Sequence, residues 1–298
     1  MICRKLIYTD LNKSNTEKIL KQVRKLNWDD PDVTIYIVKC LKNIWNVKYF
    51  NIRYVASLLA GLVQYHEWLA AEIIDSVLED VRLGMEINKN KYNQRRTAMV
   101  KFLGEMYNYR LVDSSLVFKV LYSLITFGVM LDPELAWDSL DPPDQMVRLR
   151  LVCVLLDTCG QFFVSASSKK KLDYYLLYFQ RYYLFKKACY PSKESFPLGM
   201  SQLVLETISS LRPKLEVFKD FETACEEVLK VEEEFIAILK EKMPEYVNNS
   251  IPKDDEEDVS GGGGLGTISE ANEETEEFRF GPKYLGKEEL NDVNLAVS

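Results

Sequence analysis

Helical periodicity, sustained from about residue 4 to residue 245, constrains this chain more than any other feature. Apolar residues recur at three- and four-residue intervals, the spacing that gives a helix one buried face. The strict alternation of strands is absent, as are the Asn-Gly and Asp-Gly turns that join them. The spacing predicts helices near 14–26, 31–46, 51–65, 67–85, 91–110, 113–127, 142–163, 168–189, 199–211 and 221–243. Three starts carry cap signals. Ser14-x-x-Glu17 has the form of a capping box, in which hydroxyl and carboxylate satisfy otherwise unpaired amides. Asp30-Pro31 and Asp141-Pro142 each set an acceptor before a proline suited to a first helical turn.

Ten helices joined by short connections bury their apolar faces by pairing and then stacking the pairs. The expected fold is all-α: an α-solenoid of about five stacked antiparallel helical hairpins, a HEAT-like domain over residues 4–245. Residues 246–298 differ in kind. Asp254 to Asp258 are all acidic, Gly261 to Gly264 follow, and residues 251–298 hold 13 acids and 4 bases. The first 250 residues are nearly neutral, with 32 acids and 34 bases. The acidic segment has too little apolar surface to offset chain entropy, so a disordered tail is expected. Within it, Glu276 to Leu285 sets Phe278, Phe280 and Tyr284 among charges, which reads either as part of an idle tail, the favoured reading, or as a docking peptide.

Catalytic and metal chemistry find little to work with. His66 is the single histidine, which removes the usual base of a nucleophilic triad. Six scattered cysteines form no C-x-x-C and no Cys/His cluster, so no zinc site is expected. Leu265-Gly266-Thr267 follows the tetraglycine where a phosphate loop needs Gly-Lys-Ser/Thr. The reading is a non-enzyme without cofactor. No apolar run approaches the roughly 20 residues of a membrane span, and Met1 to Lys5 open no hydrophobic leader. A cytoplasmic or perinuclear protein with reduced thiols is expected.

Function must then lie on surfaces. In the predicted 67–85 helix and its end, Glu72, Asp75, Glu79 and Glu86 fall within an arc of about 60° at 100° per residue. Ile74, Val77, Leu78, Val81 and Met85 lie roughly opposite, so one face is core and the other an acidic stripe. Like charges at i,i+4, as in Asp75 and Glu79, cost a helix a few tenths of a kcal/mol, roughly. The stripe reads either as a solvated face or as a surface for a basic partner. A basic surface is present too. Lys169, Lys170 and Lys171 open one helix, which continues through Tyr174, Tyr175, Tyr178, Arg181, Tyr182, Lys186 and Lys187. Cations interleaved with tyrosines can hold phosphates and stack unpaired bases, so Lys169, Lys170, Lys171, Arg181, Lys186 and Lys187 are candidate RNA contacts. Against this, tyrosines at i,i+4 are more often core, and positive charge at a helix start works against the macrodipole. Lys89 to Arg96 is a weaker candidate of the same kind.

Trp45 to Tyr49, Val55 to Leu62 and Val77 to Glu86 resemble the regulator of nonsense transcripts 2 family, the up-frameshift suppressor 2 scaffolds of nonsense-mediated decay. Asn93 to Arg96, Phe102 to Arg110, Ser139 to Pro143 and Leu156 to Gln161 resemble the same family, and specifically its third middle domain of initiation factor 4G. The resemblance covers about residues 4–243. It implies five stacked helical hairpins and a partner, the RNA-recognition-like domain of up-frameshift protein 3, which offers a basic sheet face. It places the family's docking acids on Asp75, Glu79 and Glu86; Glu72 shares the arc and is added by inference. It further implies a messenger RNA surveillance scaffold whose assembled complex touches RNA. The translation-initiation members of the wider class suggest the alternative, an RNA-binding adaptor. The family's two earlier middle domains have no counterpart here. Nor does its segment for the helicase up-frameshift protein 1, whose recruitment is not expected of these residues.

Overall fold

The computed structural model describes residues 2–87, 89–191 and 195–242, and the described residues form helices and turns with no strand. The expected tail 246–298 and its aromatic peptide lie outside them. The chain opens with α1 (Ile2–Lys5), which runs straight into a π-helical turn (Leu6–Asp10). Then follow α2 (Thr16–Arg24), α3 (Pro31–Lys42), α4 (Ile52–Val63) and α5 (Trp68–Glu86). Next come α6 (Asn93–Asn108), α7 (Ser114–Thr126), α8 (Val147–Cys159), α9 (Ala166–Ala188), α10 (Leu198–Leu211) and α11 (Phe221–Lys242). All ten expected helices are present. The opening helix was not expected: it is one turn long, yet Ile7 and Leu11 behind it are buried.

Two caps differ from expectation. At Asp30 the side chain accepts from the Asp32 amide at 3.0 Å, as the sequence suggests. Ser14 makes no capping box. Its amide and hydroxyl both donate to the Asn12 side chain, and α2 starts later, after Asn15. Asp141 caps nothing either. The helix expected from residue 142 begins at Val147, because Asp141 turns into the core instead.

Residues 1–226 form one compact unit, and a second begins at Glu227 within α11. In the first unit, α2, α4, α6, α8 and α10 pack in succession as one layer. The other layer holds α1, α3 and α5, then α7 and α9. Contacts between α4 and α5, α5 and α6, α6 and α7, and α7 and α8 cross between layers. The chain therefore shuttles between two helical layers, which is the expected α-solenoid of hairpins. The α6–α8 contact is close: a Cβ on Gly104 would meet the Thr158 Cγ2 at 2.9 Å. Asn108 Nδ2 donates to the Thr158 carbonyl at 2.9 Å across the same contact. The described part of the second unit is the rest of α11, where Lys230 pairs with Glu227 at 2.6 Å.

One buried polar cluster organises the α7–α8 region. Asp141 Oδ2 lies 2.8 Å from the Lys186 Nζ of α9 and accepts from the Tyr182 hydroxyl at 2.6 Å. Asp141 Oδ1 faces the Arg148 Nε of α8 at 3.6 Å. One carboxylate thus meets two cations. The second is compensated by helix-end carbonyls: Arg148 Nη1 donates to the Phe127 oxygen at 2.6 Å, at the end of α7. Lys186 further donates to the carbonyls of Pro142 (2.9 Å) and Gln145 (2.7 Å). Burial pushes the Lys186 ammonium below its usual pKa, against the pull of Asp141.

Candidate partner-binding site

The acidic stripe sits on α5, whose inward face buries Leu69, Ile73, Ile74, Val77, Val81 and Met85. Packing of that face against α3, α4 and α6 fixes the helix rotation and turns the opposite arc outward. Leu78 is half-buried at the edge, and Glu72, Asp75, Glu79 and Glu86 are all exposed. Arg96, at the start of α6, anchors the C-terminal end of α5. It is 5% exposed and donates to the carbonyls of Ile87 and Lys89, putting positive charge at the negative end of the helix. Arg96, read from sequence as part of a weak RNA segment, is therefore a structural cation.

The four carboxylates are not equivalent. Glu72 is paired with Lys42 of α3, and Glu86 with Arg82 at 2.9 Å. Neither Asp75 nor Glu79 has an ion pair among the described residues. Asp80, beside the stripe, is taken by Arg95 at 2.8 Å, whose guanidinium also stacks on Trp45 at 3.8 Å. Exposed i,i+4 pairs such as Arg82–Glu86 contribute only about 0.3–0.5 kcal/mol, so an incoming cation can exchange with them at small cost. Arg82 has a second seat, with its guanidinium 3.4 Å above the Phe127 ring. Glu86 can leave this cation without stranding it. Asp75 and Glu79 are the carboxylates most open to another molecule.

This surface also has an apolar part, formed by two helices together. A groove between α3 and α5 is lined by Ile35, Val38, Lys39 and Lys42 on one side, by Trp68, Glu72, Glu79 and Leu83 on the other, and by Arg95 of α6. Ile35, Trp68 and Leu83 are all exposed large hydrophobics. On the wheel, Trp68 and Leu83 fall on or beside the acidic arc, an apolar intrusion that signals an interface better than acids alone. Aromatic anchors beside charges suit a protein partner, since buried aromatic contacts carry much of the binding energy at interfaces.

The six candidate RNA contacts do not converge. Lys169, Lys170 and Lys171 are exposed at the start of α9, and Lys187 is exposed at its end, about 24–27 Å away along the axis at 1.5 Å per residue. Arg181 lies between them, half-buried, with its guanidinium 5.2 Å from the Tyr178 ring. Lys186 corrects the sequence reading outright. It is 1% exposed and occupied by Asp141, so no phosphate reaches it. Tyr175 and Tyr182 are core residues as well, each donating its hydroxyl inward, to Leu121 O and to Asp141. The tyrosine ladder that suggested base stacking is in large part packing.

His66 stacks on Trp28 at 4.0 Å between α4 and α5, and its carbonyl accepts from the Leu69 amide. No group of three or more His, Cys, Asp or Glu is placed to hold a metal. The six cysteines are unpaired, and burial pushes the Cys153 thiol up to about 12, far from a reactive thiolate. No described helix is long and apolar enough to cross a membrane.

Comparison with known proteins fits this architecture. The family model described as MIF4G domain matches residues 3–231. The chain is 49% identical over 238 residues to Regulator of nonsense transcripts 2 of Homo sapiens, covering 79% of the chain and 19% of the relative. It is 38% identical over 230 residues to Regulator of nonsense transcripts UPF2 of Arabidopsis thaliana, covering 77% and 18%. It is 28% identical over 207 residues to Nonsense-mediated mRNA decay protein 2 of Saccharomyces cerevisiae, covering 69% and 19%. The chain spans about a fifth of the length of the curated relatives it matches.

Proposed function

The chain belongs to the MIF4G domain family, and we propose that it is a non-enzymatic scaffold of nonsense-mediated mRNA decay whose α5 face docks a basic partner. The partner that the family resemblance points to is the RNA-recognition-like domain of up-frameshift protein 3, held through its basic sheet face within the cytoplasmic surveillance complex. One observation carries the reading. Asp75 and Glu79 stand exposed with no ion pair among the described residues, beside a groove that exposes Ile35, Trp68 and Leu83, on a helix whose opposite face is packed. Such a surface offers charge for encounter and apolar area for retention.

Glu86→Arg is expected to weaken the complex at least tenfold with helical content unchanged, because the altered side chain is exposed and holds nothing inside. Titration calorimetry with the purified partner domain checks this, beside circular dichroism of the variant. Equal affinity of parent and variant would defeat the reading. The alternative, an RNA-binding adaptor, draws support from exposed Lys169, Lys170 and Lys171 alone, since Lys186 is buried and Lys187 lies at the far end of α9. RNA affinity of the isolated chain that falls steeply with salt would favour that alternative.

A further inference from the structure

The connection between α7 and α8, residues 127–146, is the longest among the described residues, and loops of this length in compact domains commonly carry function. It is held at both ends. Gly128 takes φ +62°, a left-handed conformation, and leaves room for Leu140: a Cβ on Gly128 would lie 2.7 Å from the Leu140 Cδ1. Asp141 pins the far end into the core. In between, Ala136 is buried, its amide donates to the Asp132 carbonyl at 2.9 Å, and Ser139 Oγ donates back to the Ala136 carbonyl. A loop tied down this firmly nonetheless turns Met130, Leu131, Leu135, Trp137 and Leu140 outward, each exposing a third or more of its surface. Asp132, Glu134 and Asp138 are exposed among them and have no ion pair among the described residues. No Lys or Arg occurs between Phe127 and Arg148.

This acidic, apolar surface adjoins the α5 stripe. Alternate helices of the stack run in the same direction, which brings the ends of α5 and α7 to one edge. Arg82 marks the junction, pairing with Glu86 of the stripe while stacking on Phe127 at the start of the connection. Size argues for joining them. Glu72 to Glu86 spans about 21 Å at 1.5 Å per residue, but a single helix face is narrow. A stable interface covers about 800 Å² on each partner.

We propose that the α7–α8 connection is a second contact for the same basic partner. It takes a lysine- or arginine-rich stretch beside the partner's folded domain, whose large apolar side chains cover Leu135 and Trp137. This rests on the α5 reading, and the test separates the two. The full chain is titrated with the RNA-recognition-like domain of up-frameshift protein 3 carrying its flanking sequence. Four forms are compared: parent, Leu135→Ala with Trp137→Ala, Glu134→Lys with Asp138→Lys, and Glu79→Arg. Both loop variants are expected to lose at least tenfold in affinity while keeping the parent's unfolding midpoint, since the altered side chains are exposed. Loop variants that bind like the parent, while Glu79→Arg does not, overturn this inference and leave the α5 site standing. If all three variants bind like the parent, both readings fall. Affinity lost only together with stability counts against the loop contact. So does a parent dimer, seen by light scattering, that Trp137→Ala converts to monomer with partner affinity intact, because the surface then serves self-association.

Discussion

Asp141→Ala is expected to lower the unfolding free energy by about 3–5 kcal/mol, the usual cost of removing one member of a buried ion pair. The size follows from what is left behind. Lys186 and Arg148 would remain 1% and 4% exposed, with no carboxylate between them, and the Tyr182 hydroxyl would lose its acceptor. Lys186 would keep carbonyl partners at Pro142 and Gln145, which soften the loss without supplying a negative charge. Lys186→Met is the informative contrast. It removes a cation, keeps the buried volume close to the original, and leaves Asp141 facing Arg148 and Tyr182. Its cost should be clearly smaller than that of Asp141→Ala. Urea unfolding followed by circular dichroism measures both. Equal costs would mean that the cluster acts through packing and not through charge balance.

The second large effect is on binding. Asp75→Arg combined with Glu79→Arg is expected to weaken partner binding at least a hundredfold. Close charge pairs across an interface couple by about 1.5 kcal/mol or more each, and reversal adds repulsion where attraction was lost. The same double variant should fold about as stably as the parent, because both side chains are exposed, neither has an ion pair among the described residues, and one i,i+4 pair of like charges is exchanged for another. The loss should also shrink as salt rises, since exposed charges are screened beyond about 10 Å at 0.1 M. A double variant that binds like the parent would leave the stripe as a solvated helix face.

Much of this molecule could be read from its sequence, and the misreadings share a cause. Helix positions followed from apolar spacing and from local signals such as Asp30-Pro31, which involve residues near one another in the chain. Asp141-Pro142 shows the same local pattern, yet its carboxylate is claimed by Lys186, 45 residues on, and nothing local announces that pairing. Lys186 itself looked equivalent to its neighbour Lys187. A clue was available, because Tyr175, Phe179, Tyr182 and Lys186 share one helical face and the first three are core. The acid stripe was legible because a helix wheel needs only one helix. That Lys42 would take Glu72 was not, since it depends on how α3 lies against α5. The same is true of the groove, whose walls come from two helices.

A double-mutant cycle between Glu79 and the basic residues of the partner's sheet face tests the central claim most directly. Glu79→Ala is crossed with alanine at each of those lysines and arginines in turn, and affinities are measured by calorimetry. At least one pair should show a coupling of about 1.5 kcal/mol or more, as direct charge contacts do. Additive losses for every pair would contradict the account, because Glu79 would then face no cation of the partner.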